Sequence, residues 1–282
     1  MSIYQSTSSF GIITRQDALR SGMSRREFDD AVAVGNLKRL DRCHYALPEA
    51  EADVVSAVTA GAVLACASVL RLHGLDTWND TDLHLQLPRY GRRTRPIPEG
   101  ALICERGEAT SRHLAQSLDQ ALVSMARHHT TEQLVVALDS ALRCRLRTRA
   151  ELHSLLQGAG RRVNQALQLA TGTAESPLES VLRFRLARSR IRSAPQVVIP
   201  GVGRVDLLVE GRMILEADGR QWHQDPNSFD NDRRRDREAL LRGYVTLRVT
   251  HRQLMEEWPS TLHTIRAVLR RTPAQAAHPP SP

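Results

Sequence analysis

The segment RVDLLVEGRMILEAD, residues 204–218, constrains the fold of this chain more than any other part of the sequence. Two apolar runs flank EGR, a sequence typical of a tight turn, and are therefore expected to pair as an antiparallel hairpin. Asp206 lies inside the first run, where burial of its charge costs free energy unless a partner or a metal ion compensates it. If the hairpin turns around Gly211, Asp206 faces Glu216. A turn shifted by one residue pairs Asp206 with Leu215 instead.

Three acidic side chains are expected to meet at the end of this hairpin. Glu216 and Asp218 are two residues apart on a strand, so they point to the same side of the sheet. Side chains opposite one another in an antiparallel pair have Cβ atoms about 4.5–5.5 Å apart, which allows Asp206 and Glu216 to share one divalent ion. Oxygen ligands suit Mg²⁺ or Mn²⁺ better than zinc. The pattern predicts a Mg²⁺ or Mn²⁺ site at Asp206 and Glu216 that activates water for attack on a phosphate.

The sequence around the hairpin predicts an α/β unit over residues 171–270. Ser176 and Pro177 have the residue types of an N-cap and a first helical position, so a helix that carries Glu179 in its first turns should begin there. Strands, a charged helix and a last helix containing Trp258 follow. The ending TPAQAAHPPSP predicts a disordered tail over residues 271–282.

Residues 1–50 predict a winged helix-turn-helix. Thr14 is an N-cap candidate for a first helix. Ser24 is an N-cap candidate for a second helix, with Glu27 at the spacing of a capping box. The run LKRLDRCHYAL then alternates like a two-stranded ribbon. The second helix, about residues 24–34, would be the recognition helix, and a helical hairpin without DNA contact is the alternative.

Basic residues of this region are the candidate DNA contacts. Arg25 and Arg26 lie at the start of the second helix, and Lys38 and Arg39 lie on the ribbon. The whole chain has 39 Lys and Arg against 31 Asp and Glu, a net charge of +8. This excess favours a polyanionic partner, above all double-stranded DNA. The alternative is that the arginine content reflects the base composition of the genome and not a partner, since Lys38 is the only lysine.

Residues 51–170 predict a mixed α/β region that links the two ends of the chain. The run VVSAVTAGAVLACASVLRLHGL predicts a pair of helices, TDLHLQLP a strand, and SLDQALVSMARHHTTEQLVVALDSALRCRL a long helical stretch. The four cysteines lie far apart without a CxxC pair, which favours neither a zinc knuckle nor a dense disulfide framework. The histidines of this region show no ligand spacing and are interpreted as surface or internally satisfied residues: His73, His113, His128 and His129.

Composition and hydropathy place the chain among globular proteins. Hydrophobic residues make up 41% and charged residues 25% of the sequence, which is ordinary for a folded domain. The N-terminus lacks a basic region followed by an apolar run, and no segment approaches the 18 apolar residues of a membrane span. We expect a cytoplasmic protein with no membrane partner.

The C-terminal motif VDLL…ILEADGRQWH…DRRRDREALLRGYVTLRVT resembles an uncharacterised bacterial family allied to the very-short-patch-repair endonucleases (Vsr), within the PD-(D/E)XK nuclease superfamily. The resemblance covers roughly Thr173 to Trp258 and implies a restriction-endonuclease-like fold, a central mixed sheet flanked by helices. It also implies roles for a set of catalytic residues: Asp206 as first metal ligand, Glu216 as second acid, Glu179 as the acid of the leading helix, His223 as candidate general base, and Asp218 beside them.

The resembling family also has a D-x-x-R motif after the histidine, which Asp232 and Arg235 match. The match implies that Arg235 contacts phosphate and that Asp232 orients it or lies in the outer shell of a metal. Arg248 on the last strand is expected to point the same way, and a salt-bridged, solvated helix is the alternative. In two respects the chain departs from the pattern: Asp218 occupies the place of the superfamily's lysine, and the unit lacks the zinc cysteines of Vsr enzymes. Mismatch repair is therefore not implied.

The N-terminal spacing T...AL..G.S..........G.L.RL....YAL resembles the N-terminal domain of AbiEi-type antitoxins and related bacterial regulators. Together the two resemblances imply a metal-dependent DNA endonuclease that a winged helix targets to its substrate. The alternative is a non-catalytic DNA-binding regulator or antitoxin-like protein that retains a nuclease fold, with a second copy of the chain or a toxin as partner. An interaction scaffold without a nucleic-acid role would leave the clustered acids of a basic protein unexplained.

Overall fold

The computed structural model divides the chain into two compact units, Met1–His129 and Thr130–Pro282. Both units combine helices with sheets, so the predicted α+β class is confirmed; the finer division into four segments stays a prediction. No helix in the described part of the chain is both long enough and apolar enough to cross a membrane. The structure describes residues 10–89, 95–107, 113–218 and 226–272, with side chains for all of these but 226–230.

The first unit contains two small sheets and five helices within its described residues. Its elements are β1 (Ile12–Thr14), α1 (Arg15–Arg20), α2 (Arg25–Ala33), β2 (Lys38–Arg39), β3 (His44–Ala46), α3 (Ala52–Thr59), β4 (Val63–Leu64), α4 (Cys66–Leu72), β5 (His84–Pro88), β6 (Leu102–Gly107) and α5 (Leu118–His128). One sheet has the antiparallel order β1-β3-β2, and the other has the order β4-β5-β6, with β4 antiparallel and β6 parallel to β5.

The helix-turn-helix and its ribbon form as predicted. Thr14 caps α1 and Ser24 caps α2, each through a capping box in which a carboxylate three residues later accepts from the cap's own N–H. Phe28 of α2 is buried and meets the ring of Tyr45 edge-on, with centroids 4.9 Å apart. This contact fixes α2 on the sheet that the ribbon strands β2 and β3 form with β1.

The region after the ribbon differs from the prediction in one respect. The expected helix pair is interrupted by β4, because residues 63–64 pair with β5 instead of extending a helix. The predicted strand in TDLHLQLP is confirmed by β5. The long helical stretch is confirmed as two helices, since Thr130 caps a new helix two residues after α5 ends.

The second unit is a four-stranded mixed sheet with helices before, within and after it. Its elements are α6 (Thr131–Arg143), α7 (Arg149–Leu155), α8 (Arg161–Leu169), α9 (Pro177–Arg188), β7 (Ser193–Ile199), β8 (Gly203–Val209), β9 (Met213–Asp218), α10 (Pro226–Leu241), β10 (Val245–Thr250), α11 (His251–Met255) and α12 (Trp258–Arg271). The strand order is β10-β9-β8-β7, with β10 parallel to β9 and the other pairs antiparallel.

Local signals in the sequence predicted where α9 begins. Ser176 caps α9 with Pro177 at its first position, as predicted. The last helix, α12, extends through Arg271, and Thr272 is buried, so these two residues do not belong to the predicted disordered tail. Residues 273–282 lie outside the described part of the chain.

The register of the β8–β9 hairpin decides where the acids lie. Val209 pairs with Met213 and Leu207 with Leu215, so the turn lies around Gly211. The next position along the hairpin sets Asp206 opposite Glu216, because successive pairs in an antiparallel ladder keep the same register. The predicted register is confirmed, and the alternative that pairs Asp206 with Leu215 is wrong.

Candidate functional site

Three of the predicted acids lie on three neighbouring elements of the second unit. Asp206 is on β8, Glu216 on β9, and Glu179 in the first turn of α9. Glu179 is only 6% exposed, and the other two are half-buried. Asp206 lies close enough to Glu179 and to Glu216 for its charge to raise the pKa of both. We call these three residues the acid cluster.

Hydrogen bonds fix Glu179 and Asp206. Glu179 Oε2 accepts from the backbone N–H of Glu175 at 3.0 Å and from Gln196 Nε2 at 2.8 Å. Its Oε1 accepts from the hydroxyl of Ser176 at 2.9 Å. Asp206 Oδ2 accepts from the N–H of Ala217 on the neighbouring strand at 2.9 Å. Helix cap, sheet and side chains thus hold the carboxylates in defined positions.

Gln196 was not predicted as part of the site. Pairing of Pro195 with Leu207 and of Val197 with Val205 sets Gln196 opposite Asp206 in the β7–β8 register. Its φ of +53° is uncommon for a residue other than glycine. Its Oε1 is buried and has no hydrogen-bond partner among the described residues. The available signal in the sequence was a polar residue directly before the apolar run VVI of the same strand.

Two arginines reach Glu216. Arg235 of α10 donates from Nη2 to Glu216 Oε1 at 3.1 Å, and its other bonds go to backbone carbonyls. Arg248 of β10 places Nε 3.4 Å from Glu216 Oε2 and donates from Nη2 to Asp236 at 2.8 Å. Both predicted arginines therefore lie at the acid cluster. Among the described side chains, however, Glu216 rather than Asp232 orients Arg235.

Burial dominates the electrostatics of the acid cluster. Loss of hydration raises the pKa of Glu179, of Asp206 and of Glu216 above the ordinary carboxyl range. The charge of Asp206 adds to this increase for both glutamates. For Glu216 the opposing influence of Arg235 and Arg248 is smaller than that of burial. Perturbed carboxyl groups of this kind concentrate at functional sites.

Asp218 and His223 are the two remaining predicted members of the site. Asp218 is the last residue of β9, opposite Thr250 of β10, and its side chain is exposed instead of buried with the cluster. His223 lies outside the described residues, so its role as general base stays a prediction.

The predicted DNA contacts of the first unit lie on its surface. Arg25 and Arg26 begin α2 and are exposed, and Arg26 has Asp30 as a neighbour at 3.9 Å. Lys38 and Arg39 form β2 and are also exposed. The two pairs therefore present positive charge at the N-terminal end of α2 and on the ribbon.

A second cluster, which the sequence analysis did not predict, lies in the first unit. Cys66 Sγ is 3.1 Å from His129 Nε2, and His84 Nδ1 is 3.1 Å from Cys104 Sγ. The ligand atoms of Cys66, His84 and His129 all lie within 4.8 Å of one another, an arrangement that could hold a metal ion. Spacing could not reveal this cluster because its members come from four separate segments of the chain.

Asp80 connects the two imidazoles of this second cluster. Its Oδ1 is 2.7 Å from His84 Nε2 and its Oδ2 is 3.2 Å from His129 Nδ1. Burial alone would raise the pKa of Asp80, but the hydrogen bond and charge of His84 lower it. Burial likewise opposes protonation of His84, yet its bonds to Asp80 and Cys104 raise its pKa to about 9. The carboxylate therefore remains ionised between the two rings.

No protein-family model matches the sequence, and no curated protein matches it significantly. Fold and sites therefore define its class: an α+β protein with a helix-turn-helix and a thiol–imidazole cluster in the first unit, and a mixed sheet with a buried acid cluster in the second.

Proposed function

We propose that this protein is a metal-dependent DNA endonuclease that cleaves phosphodiester bonds at the acid cluster and acts in the cytoplasm. One observation carries the proposal: Asp206 and Glu216 face each other across the β8–β9 hairpin, beside the buried Glu179 and within reach of Arg235. The resemblance of the surrounding motif to Vsr-like nucleases supports the same reaction.

The free-energy cost of the acid cluster supports a functional role. Ionised carboxylates are unfavourable in a partly dehydrated sheet, and the cost increases when they lie near one another. Helix and sheet nevertheless hold them together through the bonds of Glu179 and Asp206. A bound cation would offset this cost, which is why clustered acids with raised pKa values indicate a site more often than a structural network.

The donor atoms of the cluster fit Mg²⁺ or Mn²⁺. Asp206 and Glu216 supply carboxylate oxygens, and the buried Gln196 Oε1 supplies an amide oxygen that lacks a partner among the described atoms. When bound, such an ion lowers the pKa of a water molecule and neutralises charge on the phosphate. Arg235 and Arg248 already contact Glu216, so the ion and the two guanidinium groups would compete for this carboxylate.

The same arginines favour a phosphate substrate. A guanidinium group matches a phosphate geometrically and can form two hydrogen bonds with it. If a phosphate took Arg235 and Arg248 from Glu216, substrate binding would leave the carboxylate to the metal. His223, which follows β9 in the chain, is the proposed general base. The exposed Arg25, Arg26, Lys38 and Arg39 would bring the first unit to double-stranded DNA.

Plasmid nicking in Mg²⁺ and in Mn²⁺ tests this proposal. The Asp206→Asn variant keeps an acceptor for the Ala217 N–H and removes the charge, so we expect nicking to disappear while DNA binding stays equal or becomes tighter. Glu216→Gln should behave alike. Glu210→Gln, in the turn of the same hairpin, is the matched control and should nick like the wild type. Nicking by Asp206→Asn at the wild-type rate would refute the proposal.

A second candidate is a non-catalytic DNA-binding regulator or antitoxin-like protein, whose partner would be a second copy of the chain or a toxin. The contacts of both Arg235 and Arg248 with Glu216 favour it, because they already neutralise the acid without a metal. Under this hypothesis wild-type protein binds DNA but shows no nicking in either metal. Calorimetric titration of Mg²⁺ into the same samples would then detect no binding that Asp206→Asn abolishes.

A further inference from the structure

We infer that the first unit holds a structural zinc ion, with Cys66 Sγ, Cys104 Sγ, His84 Nδ1 and His129 Nε2 as its four ligands. This site is separate from the acid cluster in residues and in donor chemistry. Thiolate and imidazole groups together select zinc, whereas Mg²⁺ takes oxygen ligands.

Asp80 directs the correct nitrogen of each ring toward the thiols. It lies against His84 Nε2 and His129 Nδ1, at 2.7 Å and 3.2 Å. In the neutral form that binds a metal, each ring keeps its proton on the nitrogen that faces Asp80, which leaves lone pairs on His84 Nδ1 and His129 Nε2, the two atoms that face sulfur. Ligating histidines usually donate their second N–H to a carboxylate in this way, and here one carboxylate serves both rings.

The two thiol–imidazole distances are shorter than those of a tetrahedral zinc site. Zinc–sulfur bonds of about 2.3 Å and zinc–nitrogen bonds of about 2.0–2.1 Å place neighbouring sulfur and nitrogen ligands roughly 3.6 Å apart. Both thiol–imidazole pairs are 3.1 Å apart. Each pair would need to open by roughly half an ångström to accept zinc.

Local backbone features aim both cysteines into the cluster. Cys66 has a φ of +52°, uncommon for a residue with a side chain, and its N–H donates to Gln116 Oε1 at 3.0 Å. Cys104 is the extra residue where the β5–β6 register shifts between Leu85 and Gln86. A bulge of this kind turns a side chain away from its regular direction. The unusual φ at Cys66 and the bulge at Cys104 thus both direct a thiol into the cluster.

Three of the four ligands are deeply buried, and Cys104 is half-buried. Cys66 is fully buried, His84 is 1% exposed, and the side chain of His129 is 8% exposed. Four protein ligands leave no open position, which is typical of a structural zinc rather than a catalytic one. Zinc binds thiolates and neutral imidazoles, so binding would release whatever protons the ligand atoms carry, and two thiolates would balance the divalent charge.

Metal content of the full chain, purified without chelator from zinc-supplemented cells, tests the inference. We expect about one zinc per wild-type chain by elemental mass spectrometry. Cys104→Ser and His84→Gln should lose it, while the matched control Cys43→Ser, an exposed thiol of the same unit, should keep it. Intact mass also distinguishes free thiols from a Cys66–Cys104 disulfide, which would overturn the site.

Asp80→Asn tests the site without removal of a ligand, in case a ligand variant fails to fold. Loss of an outer-shell carboxylate weakens zinc affinity by about 10–100-fold. A chelator competition with Zn²⁺ should therefore separate this variant from the wild type, and a Co²⁺-loaded wild type should show thiolate-to-metal absorption. Absence of zinc from the wild type, or equal zinc content in Cys104→Ser, would refute the inference whatever the nicking assay shows.

Discussion

Arg235 and Glu216 form an ion pair inside the second unit, with Nη2 of the arginine 3.1 Å from Oε1 of the glutamate. The same guanidinium group donates to the carbonyl oxygens of Val202 and Arg204, at 3.1 Å and 2.7 Å. The arginine therefore compensates a half-buried carboxylate and ties α10 to the sheet at the same time.

Arg235→Ala should make the stability of the second unit depend on divalent cations. Without these cations, we expect a loss of about 1–3 kcal/mol in the free energy of unfolding, because the half-buried charge of Glu216 loses one of its two arginine partners. Added Mg²⁺ should raise the melting temperature of the variant more than that of the wild type, since the guanidinium no longer competes for the carboxylate. Thermal scans with and without Mg²⁺ measure both effects.

The exposed Arg252, paired with Glu257, offers the matched control. Arg252→Ala should change stability little, because solvent screens an exposed surface ion pair. Equal Mg²⁺ responses of Arg235→Ala and the wild type would contradict the proposed competition at Glu216.

Asp139→Ala should strongly destabilise the second unit. Asp139 is 2% exposed, pairs with the buried Arg183, and accepts from the N–H groups of Thr171 and Gly172 at 2.6 Å and 2.8 Å. Removal of one partner leaves a buried charge uncompensated, which costs about 3–5 kcal/mol. Urea unfolding followed by circular dichroism measures the loss. A change as small as that of the surface variant Glu257→Ala would show that Arg183 finds another partner.

The turn of the ribbon should weaken in acid. Burial opposes ionisation of Asp41, yet hydrogen bonds from His44 and from the N–H groups of Cys43 and His44 lower its pKa. A lowered carboxyl pKa stabilises the fold fully above the unfolded value of about 3.9, and this contribution is lost as the pH falls through the lower folded value. The melting-temperature difference between wild type and Asp41→Ala should therefore shrink below about pH 4.

At neutral pH the same Asp41→Ala variant should lose about 1–3 kcal/mol of stability, since several donors lose a charged acceptor. A difference from the wild type that stays constant down to the lowest accessible pH would show that the charge of Asp41 does not stabilise the turn.

Arg25→Ala should weaken DNA binding and reduce its salt dependence. Loss of one phosphate contact lowers the slope of log affinity against log salt by about one. Fluorescence anisotropy with a labelled duplex at several salt concentrations measures this slope. Ser24→Ala is the control: it removes the cap of α2 and about 1 kcal/mol of stability, but it should leave the slope unchanged. An affinity that does not vary with salt would rule out binding through these arginines.

Local signals explain what was predictable. The caps at Thr14, Ser24 and Ser176 depend on residues only three positions apart, so the helix starts followed from the sequence. The pairing of Asp206 with Glu216 was predictable for a related reason. A short turn around Gly211 fixes the register of the whole hairpin.

Contacts between distant segments could not be predicted from the sequence. Gln196 lies beside the acid cluster only because β7 pairs with β8, and Glu216 replaces Asp232 as the partner of Arg235 because the packing of α10 brings this arginine to β9. The length of a helix or hairpin does not reveal which neighbour its side chains meet, because that depends on how the elements pack.

The sequence by itself determined the α+β class, the helix caps, and the hairpin that sets Asp206 against Glu216, since each depends on near neighbours along the chain. Only the tertiary structure decided that Cys66, His84, Cys104 and His129 meet around Asp80. These residues belong to separate elements, and the burial that drives β5, β6, α4 and α5 together carries no signal in residue spacing.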